Sequence, residues 1–166
     1  MIDKYEFYNG IVLNSLINFG SNIMIQPGPC SSANSFCIQN NKVGIYIKYS
    51  EKRSSPWRFT FKKSHQEEIY ELSTLVENVF IVLVCFRDGI VNLEYKTLKK
   101  VLDDEYDENE WISASRLSRQ QYQITGSNGK LKHKVPINAF PKKIFEVLQW
   151  LLTLLNIKEL QSTINI

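Results

Sequence analysis

Along the first segment of the chain, Tyr5, Tyr8, Val12, Leu16, Phe19 and Ile23 recur at steps of three or four residues. That spacing gathers them on one side of an α-helix and predicts an amphipathic opening helix ending near Gly20 or Asn22. Pro27-Gly28-Pro29 forces a loop, and the periodicity then changes. Ser35–Gln39 and Val43–Tyr49 are β-rich runs joined by a hairpin turn at Asn40-Asn41, and Trp57–Phe61 is a third run after Pro56, which together predict a three-strand meander. Alternation places Tyr46 and Lys48 on one face of their strand and Ile45, Ile47 and Tyr49 on the other; likewise Trp57, Phe59 and Phe61 oppose Arg58, Thr60 and Lys62.

Ser64 followed by Glu67 predicts a capping box at the start of a second helix, which runs to about Val76 and buries Ile69, Leu72, Leu75 and Val76. The unbroken apolar run Val79–Cys85 suits a strand in the middle of a sheet, covered on both faces. Asp88-Gly89 is a turn signal, with Ile90–Tyr95 returning as the partner strand. A short helix over Thr97–Leu102 leads into Asp103–Glu110, where six of eight residues are acidic and a solvated loop is expected. Trp111–Arg116, Gln120–Thr125 and Lys130–Val135 read as further strands, the last two joined by Gly126-Ser127-Asn128-Gly129. From about Pro141 a final helix carries Ile144, Leu148, Leu151, Leu152 and Leu155 as one stripe.

The element order predicts an α/β (α+β) fold, a mixed β-sheet flanked by helices in a single domain over residues 1–166. Residues 1–86 form an αβββαβ core and residues 87–166 add β-hairpins and the last helix. The length of 166 residues and the 43% hydrophobic content suffice for one sizeable core. The longest apolar runs, near Val79–Phe86 and Val147–Leu155, fall short of the roughly 20 residues that cross a bilayer, and the chain starts Met-Ile-Asp-Lys-Tyr-Glu without a basic and apolar leader. A cytoplasmic protein with no membrane partner is the expectation. Cys30, Cys37 and Cys85 form no CxxC pair and leave one over in any disulfide scheme, and with His65 and His133 as the two histidines a Cys/His zinc site is disfavoured. No phosphate-cradling glycine loop, HExxH pair, nucleophile elbow or EF-hand series is present.

The net charge of +3 conceals three blocks: +5 over residues 1–63, −8 over 64–110 and +6 over 111–166. No acidic residue lies between Phe7 and Ser50. The basic stretch Lys42–Lys63 interleaves Lys48, Lys52, Arg53, Arg58 and Lys62 with Tyr46, Tyr49, Trp57 and Phe59. Cations beside flat rings are what a phosphate backbone and unstacked bases require; the other reading is that the rings fill the core and the cations are solvated. Arg116, Arg119, Lys130, Lys132 and Lys134 form a second basic group on the later strands. The acidic tract could repel nucleic acid from the wrong face, contact a basic partner or hold a hard cation.

The order helix, three-strand meander, helix, strand over roughly Ile2–Cys85 resembles the core of the PD-(D/E)xK, restriction-endonuclease-like nuclease superfamily. In that superfamily one strand supplies an acid and the next an acid two residues before a lysine; the acids hold Mg²⁺ and the lysine helps position the attacking water. Lys48 matches the lysine, Tyr46 stands where the second acid belongs, and Asn34, Ser35 and Phe36 offer no first acid. The resemblance therefore implies a degenerate site with no bound metal or other cofactor, and a protein that binds nucleic acid rather than cutting it. Binding is expected through Lys48, Lys52, Arg53, Arg58, Lys62, Arg116, Arg119, Lys130 and Lys132. One alternative is a Mg²⁺-dependent nuclease with Lys48 as the catalytic residue and a migrated site using Glu6 and Glu51. The other is a non-catalytic module that assembles as a homodimer or other homo-oligomer.

Overall fold

The computed structural model describes residues 3–20, 22–29, 32–105 and 108–164, so that Ile2, Cys30, Tyr106 and Asp107 lie outside the described residues. The chain forms one α/β domain with two sheets and four helices among those residues. Helix α1 (Lys4–Phe19) starts where the Asp3 backbone N–H donates to Glu6 Oε2 at 3.1 Å. It buries Tyr8, Val12 and Leu16, while Phe19 at the end of the predicted stripe stays exposed.

The first sheet has the order β1 (Ile25–Pro27), β2 (Ser35–Ile38), β3 (Val43–Ser50), β5 (Asn78–Cys85), β6 (Gly89–Glu94). Its pairs are antiparallel except β3 with β5, which run parallel with Lys48 opposite Leu83. The β2–β3 turn works because Gln39, Asn40 and Asn41 take positive φ, a region that asparagine tolerates better than most residues. Strand β5, held between β3 and β6, is buried from Val79 to Cys85 as its apolar run predicts.

The expected meander is corrected in one respect. The run Trp57–Phe61 forms β4, but β4 leaves the first sheet and opens a second, with order β4, β7 (Glu110–Ser115), β8 (Gln123–Gly126), β9 (Gly129–Lys130). The third strand of the first meander is instead the short β1, placed ahead of the other two. Strand alternation identifies which face of β4 is apolar and is silent about which sheet that face covers. Here Trp57, Phe59 and Phe61 pack, with Ile112, Ala114, Tyr122 and Ile124, onto Tyr46, Ile81, Leu83 and Val91 of the first sheet. Cys37 and Cys85 lie in this same layer.

Helix α2 (Lys63–Leu75) shares that face through Ile69 and Leu72. Its start is also corrected: it begins one residue before Ser64, and His65, not the Ser64/Glu67 pair, captures a donor, its Nδ1 accepting the Lys62 backbone N–H at 3.2 Å. Leu75, expected inside, is half exposed, and Val76 is the buried residue at that end. On the opposite face of the first sheet, Ile45, Ile47, Phe80, Val82 and Val84 are covered by α1 and by α4 (Lys142–Ile164). Helix α4 buries Ile144, Leu148 and Leu151 but exposes Leu152 and Leu155 from the predicted stripe.

A short helix α3 (Tyr95–Leu98) links β6 to the acidic tract. The described residues of that tract are exposed as expected up to its last one, Glu110. Glu110 is buried at the start of β7, its Oε1 accepting from the Asp103 backbone at 3.1 Å and from Asn128 Nδ2 at 3.0 Å, and Gln66 of α2 reaches the Glu108 carbonyl. Burial pushes the Glu110 carboxyl above its ordinary range. Among the described residues no helix is long and apolar enough to cross a membrane.

Candidate functional site: a lysine-rimmed groove

The hairpin predicted at Gly126–Gly129 forms, with Gly126 and Gly129 facing each other across the turn. A Cβ on Gly126 would lie 2.3 Å from the Val101 carbonyl, so only glycine lets the hairpin sit on the end of α3's connection. The chain continues as an irregular run whose return is pinned by two backbone bonds, Tyr122 N–H to Val135 O at 2.9 Å and Val135 N–H to Tyr122 O at 2.8 Å. Of the predicted strand Lys130–Val135 only Lys130 is in β9 (Gly129–Lys130), and Val135 forms an isolated bridge with Tyr122. Between this run, β6, the residues after α3 and the first turns of α4 lies a groove of about 850 Å³.

Six lysines border it, Lys100, Lys130, Lys132, Lys134, Lys142 and Lys143, together with His133, against Glu94 and Glu146. Counting His as neutral, six minus two leaves +4. Glu94 is already engaged, receiving Lys143 at 2.5 Å and Lys96 at 2.7 Å. Burial acts against its charge, but the hydrogen bonds from these two lysines outweigh it and hold the carboxyl below its ordinary value. The Lys142–Glu146 pair is loose, at 3.7 Å between exposed side chains. Lys100, Lys130 and Lys132 make no ion pair with any described residue, so their charge is turned to solvent. The apolar lining residues are Leu93, Leu131, Val135, Pro136 and Ala139, of which Leu93, Leu131 and Val135 belong to the layer between the sheets, and Asn92 lines the groove from the opposite face of β6, beside Val82.

Two features of α4 add to the attraction for anions. Its first turn carries the positive end of a helix of 23 residues, while the Lys143, Ile144 and Phe145 N–H groups there are taken by the Ala139 and Pro141 carbonyls. It also holds Lys142 and Lys143 and no acidic residue, an arrangement that works against its own dipole unless an anion sits nearby.

The structure brings together Lys130 and Lys132 of the expected binding residues, and adds Lys134, which donates to Gln120 Oε1 at 3.3 Å. The rest are elsewhere. Lys48 lies on the face of β3 that α2 and the second sheet cover, half-buried, with Nζ 2.8 Å from His65 Nδ1 and 5.1 Å from the Phe61 ring centroid. Burial lowers its amine to about 8, and burial together with the Lys48 charge lowers His65 as well. Tyr46, fully buried, donates to Glu68 Oε2 at 2.5 Å, and Glu68 is the carboxylate whose charge favours protonated Lys48. Glu51 is taken by Lys4 at 2.9 Å, and Glu6 caps α1. Arg58 spreads over Trp111 with its guanidinium 4.2 Å from the ring centroid, on the outer face of the second sheet. Along one row of that sheet Arg58, Ser113, Thr125 and Lys130 pair in succession. Arg116 grips Asp88 through both Nε at 2.7 Å and Nη2 at 2.8 Å, and Asp88 also accepts the Tyr122 hydroxyl at 2.6 Å. Lys52, Arg53, Lys62 and Arg119 are exposed on loops or at a helix end.

Of the two readings of the aromatic residues, the packing one holds for Tyr46, Trp57 and Phe59, which are core residues, and Tyr49 stacks on Tyr8 with centroids 4.3 Å apart. Sequence reasoning missed Asn92, Lys100, Lys142 and Lys143 at the groove, and His65 and Glu68 beside Lys48. The Lys142-Lys143 pair did leave a signal, since two cations directly after the helix-starting Pro141 break a local rule. Asn92 and Lys100 left none, because only folding brings them alongside the hairpin. The chain matches no family model, no curated protein and no solved structure.

Proposed function

We propose that the protein binds nucleic acid, with the groove between β6, the β9 side of the hairpin and the start of α4 as its contact surface. The observation that carries this reading is the convergence of six lysines from three separate parts of the chain on one groove whose two carboxylates are each already paired. Multiple phosphates neutralised by lysines release counterions, so binding of this kind weakens steeply with salt. Lys130 also extends the basic edge onto the outer face of the second sheet, in the row that ends at Arg58.

Fluorescence anisotropy with labelled DNA and RNA at 50 and 200 mM salt tests the reading. Binding that drops at least tenfold between the two conditions, and that Lys130→Glu with Lys132→Glu weakens further, supports it. Absence of salt-sensitive binding at low ionic strength overturns it.

A metal-dependent nuclease is the second reading, favoured by Glu68 of α2 facing Tyr46 and Lys48, where the resemblance calls for strand acids. Mg²⁺- or Mn²⁺-dependent cutting lost in both Lys48→Ala and Glu68→Gln would establish it. The homodimeric module, by contrast, predicts a salt-sensitive dimer in light scattering and indifference to nucleic acid.

A further inference from the structure

We infer that α4 joins two copies of this chain, pairing antiparallel with the α4 of a second copy along the stripe Val147, Trp150, Leu154 and Ile157. The inference stands on apolar residues beyond the groove and does not rest on the nucleic-acid reading.

From Val147 to Ile157 the helix holds no charged residue, and its polar residues Gln149, Thr153 and Asn156, spaced by four and three, share one side. The rest of the circumference is apolar, a pattern that belongs to a helix covered on most sides. The domain covers one side only. Leu148 and Leu151 are buried, but Trp150 is 60%, Leu152 52% and Ile157 46% exposed. Leu155 continues the buried row of Ile144, Leu148 and Leu151 and is itself 37% exposed, so the core ends before it.

The spacing of the open stripe identifies what covers it. Val147, Trp150, Leu154 and Ile157 follow at steps of three, four and three, the repeat by which one α-helix packs along another. Val147 and Leu154 are half-buried and Trp150 and Ile157 are exposed, so the stripe is open to solvent. A helix that lies on a lipid surface carries Lys or Arg on its polar side, and here that side is Gln149, Thr153 and Asn156. A second α4 brings the matching repeat with no charge to desolvate, and under two-fold symmetry one stripe serves both partners.

Antiparallel pairing sets Trp150 against Leu154 of the second copy, and Val147 against its Ile157. It also keeps the two lysine-rimmed grooves apart. With the axis midway along the stripe and a rise of about 1.5 Å per residue, the two Lys143 positions lie about 27 Å apart, well beyond the screening length of roughly 10 Å. Parallel pairing would set them side by side. Three turns of pairing bury on the order of 500 Å² per copy, the low end for a specific contact, so a dissociation constant of about 1–100 μM is expected.

Sedimentation equilibrium of the full chain from 5 to 500 μM tests the inference. A dimer is expected, with dissociation constants at 50 and 500 mM salt within threefold of each other, which distinguishes it from a salt-sensitive dimer held by opposite charges. Trp150→Glu and Ile157→Glu, both at exposed positions, should each weaken it at least tenfold with the far-UV circular dichroism unchanged, and Thr153→Lys on the polar side should leave it within twofold. In the Cys30→Ser background, Trp150→Cys and Leu154→Cys copies should form a disulfide when mixed and not separately. A chain monomeric at 500 μM, a dimer that dissolves in 500 mM salt, one that Trp150→Glu and Ile157→Glu both leave intact, or a disulfide formed within each cysteine variant alone overturns the inference. Cosedimentation of a monomer with phosphatidylcholine vesicles overturns it in favour of a lipid surface. None of these outcomes bears on salt-sensitive nucleic-acid binding by the groove.

Discussion

Two groups of lysines in this molecule have opposite circumstances. Lys48 points between the sheets, where burial strips its water and its amine is lowered to about 8, and its nearest hydrogen-bond partner is an imidazole nitrogen. Lys130 and Lys132 stand on an open rim with no described ion-pair partner. The same side chain is a packing and hydrogen-bonding element in one place and an available charge in the other. Position relative to the second sheet, not local sequence, separates them: β4 crosses over to cover the Lys48 face, while the hairpin after β8 leaves the groove uncovered.

The contrast can be broken most forcefully at the rim. Converting Lys130, Lys132 and Lys142 together to glutamate should weaken nucleic-acid binding at least 100-fold at 50 mM salt, and single Lys→Ala changes should each lower the salt slope by about one, as anisotropy titrations would reveal. Next in size is Arg116→Ala. It removes both guanidinium hydrogen bonds to Asp88 and leaves that carboxylate with the Tyr122 hydroxyl, and urea unfolding should register a loss of about 2–3 kcal/mol with binding unchanged, which would set Arg116 apart from the rim cations.

Lys48→Met should have a smaller effect of the other sign. Lowering the amine from 10.5 to about 8 corresponds to about 3 kcal/mol against the charged form. The lost hydrogen bond to His65 returns about 1 kcal/mol, so a net gain of about 1–2 kcal/mol is expected at pH 7. The pH dependence fixes the cause. Between pH 8 and 10.5 the unfolded chain holds more protons at this site than the folded one, so the wild-type protein gains stability as pH rises through that window. The advantage of Lys48→Met should therefore shrink across it, in parallel urea titrations. Smallest of all, Lys52→Ala with Arg53→Ala, on the loop before β4, should change binding by less than about twofold.

Much of the fold was legible because periodicity is a local property. The opening helix, the β2–β3 hairpin, the buried run of β5 and the Asp88-Gly89 return all follow from spacing and turn chemistry within a few residues. What escaped was pairing over distance. Nothing in Trp57-Arg58-Phe59-Thr60-Phe61 says that its partner is Glu110–Ser115 and not the preceding strand, about forty residues closer in sequence. The acidic tract is an exposed loop at its described residues before Glu110, as its composition predicts, but nothing local announces that Glu110 itself is buried and reached by the Asn128 side chain from the hairpin. The groove was half visible in Lys130 and Lys132. Its other lining residues were not, since nothing local to Asn92 on β6 announces that the segment from Leu131 to Ala139 is laid beside that strand.

The two sulfurs at Cys37 and Cys85 lie in the layer where both sheets meet, almost wholly shielded, and burial pushes both thiols above their ordinary range. Alkylating reagents can therefore reach them only when the sheets part. A chain carrying Cys30→Ser thus holds its own clock: the rate at which the remaining pair is modified reports how often the interior opens, and ligand held in the groove should slow it in proportion to its occupancy.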